Sequence, residues 1–353
     1  MAFIKLDHVD IKGIACAVPK HEHRTHDYEK IPVSERELFI KTTGIEARRV
    51  APAHLSTGDM FFEAAGRLME KLGWSTDSID AILVVTQSPD YFIPATAVIL
   101  QNRLGLKKSC LAFDVNLGCS GYVYGLYLAG TMLRKDGIKR ILFCAGDKSS
   151  YSTCEEDKSS YLLFGDAGSA TAIEFSESAS TMYYNLMSDG GGWNAINIPD
   201  GGSRNGINEG TFALKEVSPG IRRAGRHVHL NGADIFNFAL KEVHINVHEL
   251  FQFSEKKPED TDYFVFHQAN KLINESIRKK LKLITPDKFP YSISLFGNTS
   301  SASIPLTIIT NSLKMEERKK LAMCLCGFGV GLSWGSCLWQ MNETVLLPLI
   351  ELE

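Results

Sequence analysis

The chain has 353 residues, of which 44% are hydrophobic and 22% charged, and its net charge is −3. That length accommodates two ordinary domains or one large duplicated one, with ample apolar residues for a core. The charge balance gives no reason to expect a nucleic-acid partner, and no apolar run approaches the roughly 20 residues that span a bilayer.

In chain order, the opening MAFIKLDHVD lacks the long apolar segment of a signal peptide, so a cytoplasmic location is expected. Residues 81–86 (AILVVT) form a buried-strand pattern and 95–104 a helical one. In 113–117, Phe113, Val115 and Leu117 alternate with Asp114 and Asn116, as a strand would. Gly118 breaks that pattern. From Ser120 onward, Tyr122, Leu126, Ala129 and Leu133 recur at helical spacing. Residues 141–145 and 168–175 are further strands, and the Gly-rich stretch 188–210 is a loop. A long helix is expected over 231–250, a strand over 263–266, a helix over 274–283 and a strand over 320–326. This alternation predicts an α/β protein with mixed sheets buried on both faces.

The two halves, 1–177 and 178–353, echo each other. The first reads strand (AILVVT), helix, strand (CLAFDV), turn with Cys119, helix, strand (RILFCAG). The second reads strand (YFVFH), helix, strand (YSISL), turn with Asn298, helix, strand (LAMCLCG). A duplicated domain places Cys119 and Asn298 at corresponding strand-to-helix turns. It places His267 at the C-terminal end of a buried strand, where open α/β sheets carry their sites.

The eight cysteines, at 16, 110, 119, 144, 154, 324, 326 and 337, are scattered through strand-like segments, which suits reduced thiols. Cys324 and Cys326 should face one side of a strand. No second Cys or His pair has zinc spacing, and His21, His23 and His26 read as surface residues, so no metal is expected. Cys119 is distinguished by its turn. A thiol over the start of a helix is favoured as thiolate, and the unpaired N–H groups there can hold an oxyanion. Alone, each of Cys119, His267 and Asn298 has an ordinary structural reading as packed thiol, hydrogen-bonded histidine or turn residue. Together they admit three chemistries. A papain-like protease needs a C-G-[SA]-C-[WY] signature near the mature N-terminus, whereas GCSGY follows a long leading segment. A dinucleotide-binding oxidoreductase needs G-x-G-x-x-G opening a helix, whereas GFGVG is followed by a strand-like LSWGSCLWQM. Thiol-mediated acyl transfer on a duplicated fold is the third.

Six segments carry a specific resemblance: TGIEARR (43–49), FDVNLGCSGYVYGL, LLFGDAGSA (162–170), VFHQAN, GNTSSASIP (297–305) and GFGVGLSWGS (327–336). In this order they resemble β-ketoacyl-acyl-carrier-protein synthase III, a condensing-enzyme family of the thiolase superfamily. The resemblance implies a five-layered α-β-α-β-α fold, a homodimer, and the catalytic set Cys119, His267 and Asn298. It implies an acyl-Cys119 intermediate condensed decarboxylatively with a malonyl thioester on acyl carrier protein. The backbone N–H groups of Cys119 and Val330 would hold the oxyanion. Coenzyme A or carrier-protein thioesters would be substrates, with no metal or redox cofactor and no nucleic-acid or membrane partner. Phe328 resembles the aromatic residue between the acyl and malonyl sites, and Asn270 in HQAN is carried over as a substrate contact.

Several positions depart from the family. Leu38 replaces an aromatic adenine clamp, Thr42 replaces an Arg, and Lys158 matches the opposing Arg without its planar surface. Val330 matches a glycine, and Val resists positive φ. Ile93 matches a position often held by Phe that closes the acyl pocket across the dimer. These changes suggest a specialised, branched or longer primer, delivered on a carrier protein. Arg278, Lys279, Lys280 and Lys282 offer a basic docking patch, or equally a solvated helix face. Two basic positions of the family are Asn237 and Leu272 here, with Lys271 adjacent. The remaining alternatives are acyl transfer from Cys119 to an oxygen or nitrogen of a small molecule or sugar, and an inactive dimer partner or scaffold.

Overall fold

A computed structural model describes residues 2–282, 285–312 and 320–353. The principal strands are β1 (Ala2–Leu6), β2 (Val9–Pro19), β3 (Ala81–Val85), β4 (Leu111–Val115), β5 (Arg140–Asp147) and β6 (Ala167–Phe175) in the first half. They continue as β7 (Met182–Ser188), β8 (Tyr263–Phe266), β9 (Lys320–Gly329), β10 (Ser333–Asn342), β11 (Val345–Leu346) and β12 (Ile350–Leu352). The helices are α1 (Val33–Thr43), α2 (Thr57–Leu72), α3 (Thr96–Arg103), α4 (Gly121–Met132) and α5 (Gly232–Phe238). After them come α6 (His244–Ser254), α7 (Lys271–Leu281), α8 (Ile293–Phe296) and α9 (Ser303–Thr310).

Two mixed sheets result. One has the order β11-β2-β6-β5-β3-β4, with β12 also on β2; the other has β1-β7-β10-β9-β8. The termini cross between the halves: β1 pairs with β7, and β11 and β12 pair with β2. Strand alternation sorts side chains to the two faces of each sheet. In β3, Leu83 and Val85 face the interior between the sheets, while Ile82 and Val84 face α2 and α3. In β9, Met323 and Leu325 face the same interior, and Cys324 and Cys326 together face α6 and α7. Helices α4 and α9 fill the space between the sheets. The layers therefore run α2/α3, sheet, α4/α9, sheet, α6/α7, the five-layered thiolase-like arrangement expected.

Local chemistry sets the helix ends. Ser56 and Asp59 close a reciprocal capping box on α2, and Gly73 ends it at φ 64°. Asn270 Oδ1 caps α7 by accepting from Ile273 N–H at 2.8 Å. All eight cysteines are free and buried.

Three expectations need correction. The helix predicted over 231–250 is α5 and α6 joined by a π-helical turn at Ala239–Val243, and it extends to Ser254. The YSISL segment is not a strand: Ile293–Phe296 is the short helix α8, so the second sheet lacks a counterpart of β4. Helix α7 starts earlier than predicted, at Lys271, because Asn270 caps it; residue 283 lies outside the described residues.

Candidate active site

Cys119 sits in the turn between β4 and α4, as its sequence pattern indicates. The neighbouring hydroxyl, Ser120, does not cap α4; its Oγ is 2.6 Å from Ser333 Oγ, tying the turn to the start of β10. The backbone N–H groups of Val330 and of Cys119 itself, and the Ser300 hydroxyl, act on the Cys119 sulfur to favour its charged form. These donors do not make it a resting thiolate. Burial dominates and pushes its pKa up to about 11, with the Asp147 carboxylate adding to the rise. The expectation of a helix-stabilised thiolate is corrected here: at neutral pH the group is a thiol.

Val330 keeps its N–H in place without strain. The positive φ values fall on its neighbours, Gly329 at 156° and Gly331 at 135°, and Val330 is not among the positive-φ residues. Gly329 is required for a second reason: a Cβ there would lie 2.6 Å from Cys119 Cβ. The loop thus presents the Val330 N–H to the sulfur although a valine replaces the expected glycine.

His267 follows β8 and is 1% exposed. Its Nδ1 lies 2.7 Å from Ser303 Oγ. Desolvation pushes its pKa down to about 3, with a hydrogen bond to the Ser300 backbone opposing the shift only in part. The ring is therefore neutral throughout the physiological range. Ser303 Oγ also accepts from the Gln268 N–H at 3.4 Å; when the Ser303 hydroxyl donates to Nδ1, the ring proton sits on Nε2. Phe328, buried, meets the His267 ring edge-on with centroids 5.5 Å apart.

Asn298 is fixed by three hydrogen bonds. Its N–H donates to Leu163 O at 2.8 Å, its carbonyl accepts from Gly165 N–H at 3.0 Å, and its Oδ1 accepts from Ser300 N–H at 2.9 Å. The Oδ1 contact orients the amide and leaves Nδ2 as donor. Gly165 allows this close approach, since a Cβ there would lie 2.0 Å from Phe296 O. The TGIEARR segment supports the same point: Arg48, buried, donates to Phe164 O at 3.1 Å and stacks on Tyr161 at 4.3 Å.

Cys119, His267, Asn298, Phe328 and Val330 all line one cavity of about 1050 Å³. Asn270 lines it too, with its Oδ1 already engaged as the α7 cap. Segment 196–230, read as loop at its start, contributes apolar wall through Ile198, Ile207, Phe212 and Val228. Three predicted substrate residues do not line it. Leu38 is 62% exposed on α1. Lys158 Nζ lies 2.9 Å from Glu35 Oε2. Ile93 is 86% exposed, beside exposed Tyr91 and Phe92, both of which do reach the cavity. On α7, Arg278 is held by Glu275 at 2.7 Å and Lys280 Nζ donates to Leu240 O at 3.0 Å, while Lys279 lies on an exposed position. Among the described residues no three His, Cys, Asp or Glu side chains converge as a metal site requires, and no helix is long and apolar enough to cross a membrane.

Two cavity residues escaped the sequence reading. Asp147, at the end of β5, is 2% exposed and accepts from Thr86 Oγ1, Gln87 N–H and Ser88 Oγ at 2.6–3.3 Å. Ser300 sits in GNTSSAS at φ 50°. The available signals were a carboxylate directly after six apolar or small residues, and a seryl pair beside Asn298.

The chain is similar to known proteins. Residues 113–190 match the family described as 3-oxoacyl-[acyl-carrier-protein (ACP)] synthase III, and residues 251–341 match its C-terminal region. The beta-ketoacyl-[acyl-carrier-protein] synthase III 1 of Halalkalibacterium halodurans is 32% identical over 327 residues, covering 92% of this chain and 96% of that protein. The synthase III of Neisseria meningitidis is 30% identical, covering 95% of this chain and 100% of that protein. The crystal structure of a 3-oxoacyl-(acyl-carrier protein) synthase from Burkholderia xenovorans superposes with a TM-score of 0.92 at 34% identity, covering 99% of each chain. With the five-layered fold and the cavity on which Cys119, His267 and Asn298 converge, these similarities show that the chain belongs to the β-ketoacyl-acyl-carrier-protein synthase III family of condensing acyltransferases.

Proposed function

We propose that the protein loads an acyl group onto Cys119 and condenses it decarboxylatively with a malonyl thioester carried on acyl carrier protein, giving a 3-oxoacyl product. The convergence of a thiol, two backbone donors and two neutral side-chain donors on one cavity carries this reading. In acylation, the Cys119 sulfur attacks the thioester carbonyl carbon. The oxyanion forms beside the Cys119 and Val330 N–H groups, and the donor thiol leaves. In condensation, the malonyl C–C bond breaks and its electrons pass to the thioester enolate. His267 Nε2–H and Asn298 Nδ2–H donate to the enolate oxygen as charge develops. A neutral imidazole suits that task, since it donates without being titrated. The carbanion then attacks acyl-Cys119 and frees the sulfur. No step calls on a metal or redox cofactor.

The large cavity and its apolar wall support a primer bulkier than acetyl. The placement of Leu38 outside the cavity and the pairing of Lys158 with Glu35 support a carrier-protein donor over coenzyme A. Lys279 and its neighbours on α7 would attract an acidic carrier mainly through on-rate. Exposed Tyr91, Phe92 and Ile93 suit burial by a second copy of the chain.

The test is intact-mass measurement after incubation with a panel of acyl thioesters, followed by malonyl-carrier protein. A mass gain on Cys119 that disappears with carbon dioxide release supports condensation. Discharge only on adding an amine or alcohol points instead to acyl transfer onto nitrogen or oxygen. No adduct with any donor leaves the scaffold reading.

A further inference from the structure

Two basic side chains, Lys148 and Arg226, line the cavity beside the neutral His267, and they are held differently. Lys148 turns its ammonium to the carbonyls of Pro52 and Leu55, at 2.7 and 2.9 Å. Among the described residues the Arg226 guanidinium makes no ion pair and no hydrogen bond. It lies instead over two aromatic rings, 5.3 Å from the Tyr151 centroid and 5.8 Å from that of Phe212. Nearby cations are already paired: Arg223 with Asp157 at 3.4 Å and Lys158 with Glu35 at 2.9 Å. The backbone that carries Arg226 is fixed on both sides. Its own N–H donates to Thr211 O at 3.3 Å, and the Val228 N–H donates to Ser152 O at 2.8 Å.

Resting on the acyl-transfer reading above, we propose that Arg226 receives an anionic oxygen group of the acyl donor, and that this group is a carboxylate at the far end of the primer chain. Contact with aromatic faces holds a guanidinium in place without using its N–H donors. Its planar fork of donors is then left for a ligand, and a carboxylate matches that fork with paired parallel bonds. Cys119 lines the same cavity, so a chain attached to the sulfur and a group bound to Arg226 share one space. Arg226 belongs to the apolar wall of Ile198, Ile207, Phe212 and Val228. Methylenes lie along such a wall at no polar cost, and the charge at their end meets the guanidinium. The primer class is then the half-thioester of a dicarboxylic acid. The phosphate of a carrier's prosthetic arm offers similar oxygens from a second source; the place of Arg226 in the apolar wall favours the primer.

The carboxylates of the cavity do not neutralise Arg226. Asp90 Oδ1 accepts the Gly58 N–H at 2.8 Å, and Asp147 is held by Thr86, Gln87 and Ser88. Asp200 is the nearest in the chain's packing: its Oδ2 lies over Gly225, where a Cβ would meet it at 2.0 Å. Asp200 nevertheless makes no ion pair with Arg226. Its charge opposes an anion bound beside it, so it weakens the site and removing it should strengthen the site.

The test measures single-turnover acylation of Cys119 by intact mass with matched pairs of carrier-protein thioesters. Succinyl, adipoyl and suberoyl half-thioesters are set against butyryl, hexanoyl and octanoyl thioesters of equal carbon number. The rate ratio within a pair cancels any loss of folded protein. Wild type should prefer the half-thioester of at least one pair by about tenfold to hundredfold, as expected for charge-assisted hydrogen bonds. Arg226→Gln should bring that ratio close to unity, Arg226→Lys should keep part of it, and Asp200→Asn should raise it. Preference for the monocarboxylic member in every pair overturns the proposal, as does an Arg226→Gln protein that keeps the preference or an Asp200→Asn protein that loses it. If Arg226→Gln slows both members alike, the bound anion is the phosphate of the carrier arm, and the primer assignment is overturned. A binding arm needs no chemistry: free succinate, adipate and suberate are titrated calorimetrically into wild type and Arg226→Gln. If no thioester acylates wild type, the acyl-transfer reading fails. Binding lost in Arg226→Gln then still supports the anion site, and absent or equal binding overturns it.

Discussion

The two halves share a strand-and-helix plan, but they hold their reactive residues differently. In the first half, Cys119 follows β4, an edge strand paired with β3 through five residues, and enters α4 directly. In the second half, the matching segment has no strand, and α8 leads to Asn298 instead. Asn298 is then fastened to the opposite half, by N–H and carbonyl bonds to Leu163 and Gly165. The nucleophile follows a strand of its own half and is tied to the other half only through the Ser120–Ser333 contact and the close approach of Gly329, whereas the Asn298 backbone is bonded to the neighbouring half directly. Under the proposed mechanism, one half would carry the acyl group while the other, bonded to it, would supply donors to the incoming malonyl unit.

The sharpest way to break this division is at the sulfur. Cys119→Ala should form no acyl adduct with any thioester, read by intact mass, and an adduct that persists would reassign the nucleophile. Gly165→Ala attacks the junction between halves. Its Cβ would meet Phe296 O at 2.0 Å, so the backbone that holds Asn298 must move. A loss of about 1–3 kcal/mol in denaturant unfolding is expected, with decarboxylation of malonyl-carrier protein falling more than Cys119 acylation.

The pH dependence of stability separates the halves as well. The unfolded state binds a proton on His267 near its ordinary pKa of 6.5, while the folded ring resists protonation down to about 3. Stability should therefore fall as pH drops through that window, by up to about 1.4 kcal/mol per pH unit. Cys119 behaves oppositely. Its folded thiol holds its proton to about 11 against an ordinary value of 9.0, so its contribution is present below 9.0 and lost as pH rises toward 11. Thermal melts of His267→Asn should show a flatter acid limb, and those of Cys119→Ala a flatter alkaline one. The smallest effect belongs to Lys158→Ala at the partly exposed Glu35 pair. It should cost less than about 1 kcal/mol and leave acylation unchanged with a carrier-protein donor.

Much of this was legible in the chain. Cys119 and His267 each follow a strand whose alternation or apolar run is plain, and the capping signals of α2 and α7 are local. The segment 291–295 misled because five residues of Ser/Ile alternation satisfy a strand pattern while being short enough to close as one helical turn. Its contacts with the other half, invisible in sequence, settle its conformation. The thiol state of Cys119 was hidden for a related reason. Local N–H groups can be inferred from a turn, but the burial that outweighs them comes from residues far along the chain, such as Gly329. Asp147 and Ser300 lay in recognisable motifs, yet only the fold brings β5 and the Asn298 turn to one sulfur.

The most direct measurement loads wild-type and Asn298→Ala proteins with an acyl thioester and follows intact mass before and after malonyl-carrier protein is added. Both proteins should gain the acyl group on Cys119. Wild type should then lose it with release of carbon dioxide, and Asn298→Ala should retain it. A variant that discharges as fast as wild type, or that never takes up the acyl group, would contradict the division of labour between the halves.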